Sequence, residues 1–234
     1  VFAEDEARLL EAAADGDELE RLIERRIAGE PLEHVLGWAE FRGVRYGIGP
    51  GVFVPRPRTE TLVDLALTLV HPGALILDLC CGSGAVGAAI ARESSGRLIS
   101  TDIDDAAVTI ARANVHPFGG EVVQGDLFSA LDPAITGRVD LIVVIAPYVP
   151  TSEIALLPHE ARDHEPLLAL DGGADGLVVL RRIAAEAPTW LATGGHLITE
   201  VAATQAPALA RLLERAGLEV RIELDDSAIV IARR

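Results

Sequence analysis

The sequence predicts an α/β protein built on a doubly wound, mostly parallel sheet. Three observations carry that expectation. From Ala74 onward, β-prone and helical runs alternate over about 160 residues. Each of the first three β-prone runs ends in a turn carrying Gly or Asp. The last two have no helix between them, so they are expected to pair antiparallel.

The elements follow in order. Residues 1–37 read as an N-terminal helical segment, because Glu6–Ala14 and Glu18–Ile27 space apolar residues along one helical face with charges opposite. Residues 38–57 change character: Gly and Pro punctuate short β-prone pieces in FRGVRYGIGPGVFVP, which predicts a β-hairpin linker. The main domain, 58–234, opens with a helical run, Arg58–Val70. Ala74–Leu79 is an apolar strand and Ala85–Glu93 a helix of small residues. Arg97–Asp102 is a strand, and Asp104 is placed to cap a helix running to Val115. Glu121–Asp126 and Arg138–Val144 are the third and fourth strands. After a long loop come helix Ala174–Ala187, strand His196–Val201 and helix Thr204–Gly217, with Gly217 as a C′ glycine. Glu219–Leu224 and Ala228–Arg234 close the sheet around a turn at Asp225-Asp226-Ser227.

The chain of 234 residues suffices for one core with a small appendage. Its net charge is −16 and every basic side chain is Arg. Nucleic-acid binding draws most of its affinity from cations that neutralise phosphates, so a nucleic-acid partner is not expected. No apolar run approaches the roughly 20 residues of a membrane helix, and the acidic, helical start is no secretory signal. A soluble, cytoplasmic protein with no membrane partner is expected. The sequence starts at Val1, so a few further residues are expected before it. Cys80 and Cys81 are adjacent and lack metal-ligand spacing, which predicts small residues in a tight turn and no metal. His159, His164, Glu160, Asp163 and Glu165 crowd one loop, read as a solvated acidic loop.

In an open α/β sheet, ligands sit outside the carboxyl ends of the strands. The first strand ends in Asp78-Leu79-Cys80-Cys81-Gly82-Ser83-Gly84, a turn that lets a ligand approach the backbone at a helix N-terminus. It is neither a dinucleotide nor a P-loop fingerprint. The second ends in Asp102, spaced to accept ribose hydroxyls, and the third in Asp126. Three carboxylates, Asp78, Asp102 and Asp126, suit a positively charged nucleoside such as S-adenosylmethionine better than a dinucleotide with two phosphates. The fourth strand ends in VVIAPYVP, a corner at Ile145-Ala146-Pro147-Tyr148.

Longer stretches carry a resemblance. VPRPRTE, DLCCGSGAVG, STDID, VVQGDLFSAL and HEPLLALDGGADGLVVLRRIAAEA resemble the HemK/PrmC family of protein-(glutamine-N5) methyltransferases, which modify the Gly-Gly-Gln motif of peptide-chain release factors. The resemblance implies a class I S-adenosylmethionine-dependent methyltransferase fold, Rossmann-like, with seven strands and an antiparallel last strand. It implies cofactor contacts at Asp78, Cys80, Cys81, Gly82, Ser83, Gly84, Asp102, Ile103, Asp126, Leu127 and Ile145. It places Phe53, Pro55 and Arg56 beside the substrate, together with Pro147 and Tyr148, and makes the His159–Glu165 loop a wall of the substrate site. The family's catalytic corner reads Asn-Pro-Pro-Tyr and aligns with Ile145, Ala146, Pro147 and Tyr148. In the family, the Asn side chain and the next backbone carbonyl accept the two N–H bonds of the substrate amide.

Two departures matter. Ile145 removes the side-chain acceptor, and losing one such group typically costs about 10²–10³ in rate. A weak or inactive S-adenosylmethionine-binding relative, or one with a less polar acceptor, is the alternative expectation. Cys80 replaces the first glycine of the cofactor turn and fits there only if its φ is negative. The family also often carries a full helical bundle before the hairpin, so docking of a release factor is expected to differ here or to be completed by preceding residues.

Overall fold

The computed structural model describes residues 3–224 and 227–234. Helices α1 (Ala3–Ala13), α2 (Gly16–Ile27) and α3 (Leu32–Leu36) share a small core of Leu10, Leu22, Leu32 and Val35. An antiparallel hairpin follows, β1 (Trp38–Phe41) with β2 (Val44–Gly47). An irregular strap over 48–59 leads into α4 (Glu60–Leu67). The alternating part then runs β3 (Leu75–Leu79), α5 (Ala85–Ser94), β4 (Arg97–Asp102), α6 (Asp105–Val115), β5 (Glu121–Gln124) and β6 (Val139–Val144). Short helices α7 (His159–His164) and α8 (Leu167–Leu170) precede α9 (Val178–Trp190), β7 (Leu191–Val201), α10 (Ala206–Arg215), β8 (Glu219–Leu224) and β9 (Ala228–Arg233). Asp225 and Asp226 of the expected final turn lie outside the described residues.

Seven strands form one sheet in the order β5-β4-β3-β6-β7-β9-β8. β5, β4, β3, β6 and β7 are parallel, while β9 runs antiparallel to both β7 and β8. This is the class I methyltransferase arrangement. β3 is buried along its whole length because helices cover both faces of a parallel sheet. Strand alternation feeds two cores. Leu77, Leu79, Ile142 and Val144 face α9 and α10, while Ile76, Leu141 and Val143 face α4 and α5.

Several boundaries differ from expectation for local reasons. The helix expected over 58–70 starts later, because Pro57 opens a 3₁₀ turn over Pro57–Thr59. It stops where the Thr68 hydroxyl donates to the Leu65 carbonyl, 2.7 Å away. β7 begins five residues before His196, alongside a register shift between Val139 and Leu141. The expected acidic loop folds partly into α7, and Glu165 beside it is buried rather than solvated. Asp104 caps α6 as expected, accepting from the amides of Ala106 and Ala107. Among the described residues, no helix is long and apolar enough to cross a membrane, and no group of three or more His, Cys, Asp or Glu side chains is arranged to hold a metal.

Candidate active site

The carboxyl ends of β3, β4 and β6, with the turn after β5, open into a cavity of about 670 Å³ beside the switch point between β3 and β6. The residues expected there from sequence converge on it from distant parts of the chain. Asp78, Cys80 to Ser83, Asp102, Ile103, Asp126 and Leu127 form one side. The corner Ile145 to Tyr148 forms another, and Phe53, Pro55 and Arg56 reach it from the strap. Gly84 is the exception. It is not part of the wall, and a Cβ there would lie 2.8 Å from Val115 of α6, so its role is close packing of α5 on α6 at a φ of 76°.

Asp102 is held by two backbone amides. Its Oδ2 accepts from Gly82 at 2.8 Å and its Oδ1 from Asp104 at 3.0 Å. The carboxylate is thereby fixed at the cavity wall, where a pair of vicinal hydroxyls is the group it would take. Asp78 lies deeper, 2% exposed, and accepts from the Gly87 amide at 3.1 Å. Burial pushes its carboxyl up to about 8. Asp126 is not the bare acid expected from sequence: Arg182 of α9 pairs with it at 2.8 Å. Burial also raises both cysteine thiols, so Cys80 and Cys81 stay protonated.

The expectation for Cys80 fails. Its φ is 54°, in the left-handed region, as is that of Leu127 at 52°. Among the described residues, four non-glycine residues have positive φ, and these two line the cavity. Left-handed backbone costs a side-chain-bearing residue roughly 1–2 kcal/mol, and such strain concentrates at ligand sites.

At the corner, Ile145 is half-buried, packs against the core on the α4–α5 face and lines the cavity. Tyr148 is gripped by groups that sequence reading did not single out. Arg58 donates to its hydroxyl at 2.8 Å and, through Nε, to Glu200 at 2.7 Å. Thr59 donates to the other Glu200 oxygen at 2.9 Å. The Gln205 side chain donates to the Tyr148 carbonyl at 2.7 Å. Nearby, Arg56 lies over the Phe53 ring and pairs with buried Glu165 at 2.5 Å. For Glu200 the available signal was a carboxylate inside an apolar strand, since buried charges are paired; Glu165, in a polar loop, gave none.

A family model described as "Methyltransferase domain" matches residues 76–164. A release factor glutamine methyltransferase of Gloeobacter violaceus is 40% identical over 210 residues, covering 86% of this chain and 72% of that protein. The chain belongs to the release factor glutamine methyltransferase family. The family likeness extends to a 4-amino-L-phenylalanine/4-methylamino-L-phenylalanine methyltransferase of Streptomyces pristinaespiralis, 36% identical over 203 residues, or 83% of this chain and 69% of that one. Among solved structures, a methyltransferase from Pyrococcus furiosus shares the fold with a TM-score of 0.63 at 15% identity, covering 92% of this chain and 98% of that one.

Proposed function

We propose that this chain methylates the side-chain nitrogen of a glutamine in a peptide-chain release factor, using S-adenosylmethionine. The observation that carries the reading is one cavity with the Gly82–Asp102 turn on one wall and the Ile145–Tyr148 corner on another. Release factor glutamine methyltransferases 40% identical to this chain support it. The residues present fit the cofactor: a clamped Asp102 for the ribose, Ile103 and Leu127 for the adenine, and buried Asp78 on the side of the amino group. When bound, the cofactor would supply an electrophilic methyl on its sulfonium: the N–C bond would form as the S–C bond breaks, the thioether would leave, and the amide nitrogen would release one proton to solvent. The chain's own work is positioning. A carboxamide nitrogen is a poor nucleophile because its lone pair is delocalised. The Ala146 carbonyl accepts one of its N–H bonds, and Tyr148 and Pro147 shape the slot. Holding the nitrogen in line is worth a large part of the barrier. Ile145 supplies no second acceptor, so transfer to glutamine is slow.

That same residue favours a second reading, in which the acceptor nitrogen is less polar and needs no side-chain amide. Ile145 shares the wall with Phe53, Leu157 and Leu168, and the relative named for 4-aminophenylalanine shows that related chains bear such names. The net charge of −16 argues against a nucleic-acid partner under either reading. The test is calorimetry with S-adenosylmethionine, followed by transfer of labelled methyl to a release factor and to its Gly-Gly-Gln glutamine→alanine variant. Heat on binding, with label only on the glutamine form, is expected. No heat contradicts both readings; heat with label on neither form contradicts the first.

A further inference from the structure

We infer that Glu200, acting through Arg58, and Gln205 are positioning residues that fix Tyr148 at the acceptor corner from two sides. The inference rests on the methyl-transfer reading above. With Ile145 in place, the remaining hydrogen-bond acceptor at the start of the corner is backbone, so the reaction depends on where the backbone of Ala146 to Tyr148 is held.

The hydroxyl side of the clamp is ionic. Glu200 is 1% exposed at the carboxyl end of β7, and both of its oxygens are occupied, one by Arg58 and one by Thr59. Arg58, on the strap more than 140 residues earlier in the chain, carries its second hydrogen bond to the Tyr148 hydroxyl. Burying a carboxylate is costly in desolvation, and an apolar pair of similar volume often serves stability as well. What an apolar pair cannot do is aim a guanidinium at a phenol.

The backbone side is an amide clamp. Gln205 donates to the carbonyls of Tyr148 at 2.7 Å and Asp175 at 3.0 Å, while its own oxygen accepts from the Ala202 amide at 3.0 Å. Both N–H donors of that side chain and one lone pair of its oxygen are spent on fixing backbone. Gly176 completes the arrangement. A Cβ there would lie 2.1 Å from the Tyr148 carbonyl oxygen, so only glycine lets the 171–177 segment close over the corner. The Val149 amide donates to Leu170 at 3.0 Å and the Gly172 amide to Val149 at 2.8 Å, extending the hold past Tyr148.

Two readouts test the inference in the chain of 234 residues. The first is independent of activity: ultraviolet titration of tyrosine in the parent, Arg58→Gln, Glu200→Gln and the double variant, with Tyr148→Phe identifying which of the two tyrosines responds. Burial holds the Tyr148 phenol up, and Arg58, which donates to it, favours its ionised form. Arg58→Gln is therefore expected to raise the Tyr148 titration midpoint, and to raise it less in the Glu200→Gln background, where the guanidinium is no longer aimed at the phenol. Equal shifts in the two backgrounds overturn the ionic half of the clamp. The second readout is methyl transfer to the release factor by Glu200→Gln and Gln205→Leu. Each is expected to lose kcat by up to about 100-fold, with KM for S-adenosylmethionine within about twofold of the parent. Unchanged kcat, or a loss confined to cofactor KM or to melting temperature, overturns the positioning role. If the parent chain itself transfers nothing, the proposed function fails, and the tyrosine titration still decides the clamp.

Discussion

Cys80 and Ile145 are two residues at which this chain departs from what its site chemistry would choose, and they act on different quantities. Cys80 carries a left-handed φ of 54° where glycine has no penalty. Cys80→Gly is expected to raise stability by about 0.5–1 kcal/mol, allowing for the extra freedom glycine has when unfolded; a lower thermal midpoint would show that the thiol's packing outweighs the strain. Sequence reasoning demanded a negative φ here because cysteine tolerates little else, and the reversal follows from the turn itself. The Cys81 amide bonds to the Thr101 carbonyl and the Gly82 amide to Asp102, which fixes the turn's path whatever side chain sits at 80. Asp102 was legible from its spacing alone, since strand ends in this topology face one crevice. Its clamp by Gly82 and Asp104 implies that Asp102→Ala removes charge-assisted bonds worth about 1.5–3 kcal/mol, seen by calorimetry as a roughly 10- to 100-fold weaker Kd for S-adenosylmethionine. Binding within threefold of the parent would remove Asp102 from the site.

At the scale of elements, the strap between β2 and α4 is tied down by two buried carboxylates, Glu165 beside α7 and Glu200 on β7. Glu165 also accepts from the Val54 amide at 3.2 Å, so one side chain holds the strap's backbone and its Arg56. Glu165→Ala removes the hydrogen bonds to the Val54 amide and to partly exposed Arg56 and is expected to cost about 1–3 kcal/mol in denaturant unfolding. Limited proteolysis is expected to cut within 51–59 faster than elsewhere; parent-like resistance would show that the strap is held by its apolar contacts. The strands and their order of succession were readable because continuous apolar runs have few other interpretations. The strap's anchors were not, because they join residues more than 100 positions apart, and a charged residue in a polar loop gives no sign of burial. α7 was missed for the same reason: its six residues, HEARDH, carry no apolar periodicity.

For the whole molecule, the acidic balance and the buried Asp78 tie cofactor binding to pH. Asp78 ordinarily titrates near 3.8 and is raised by burial to about 8, so the folded chain holds a proton there that the unfolded chain has lost. This group's contribution to stability therefore falls as pH rises between those values and is constant above them. A cationic ligand favours the ionised form, while the ligand's own α-amino group loses its charge at about pH 8, so affinity for S-adenosylmethionine is expected to rise up to about pH 8 and to fall above it. That rise is expected to be reduced in Asp78→Asn; an identical pH profile in both chains would exclude Asp78 from the linkage. The fold, cofactor cavity and strap all assemble around a corner whose leading residue is Ile145, and the rate of glutamine methylation is where that choice is felt. The direct measurement is labelled methyl transfer from S-adenosylmethionine to a release factor by this chain and by Ile145→Asn at equal cofactor saturation. Restoring the side-chain acceptor is expected to raise the rate by about 10²–10³-fold; equal rates in the two chains would contradict the role assigned to the corner.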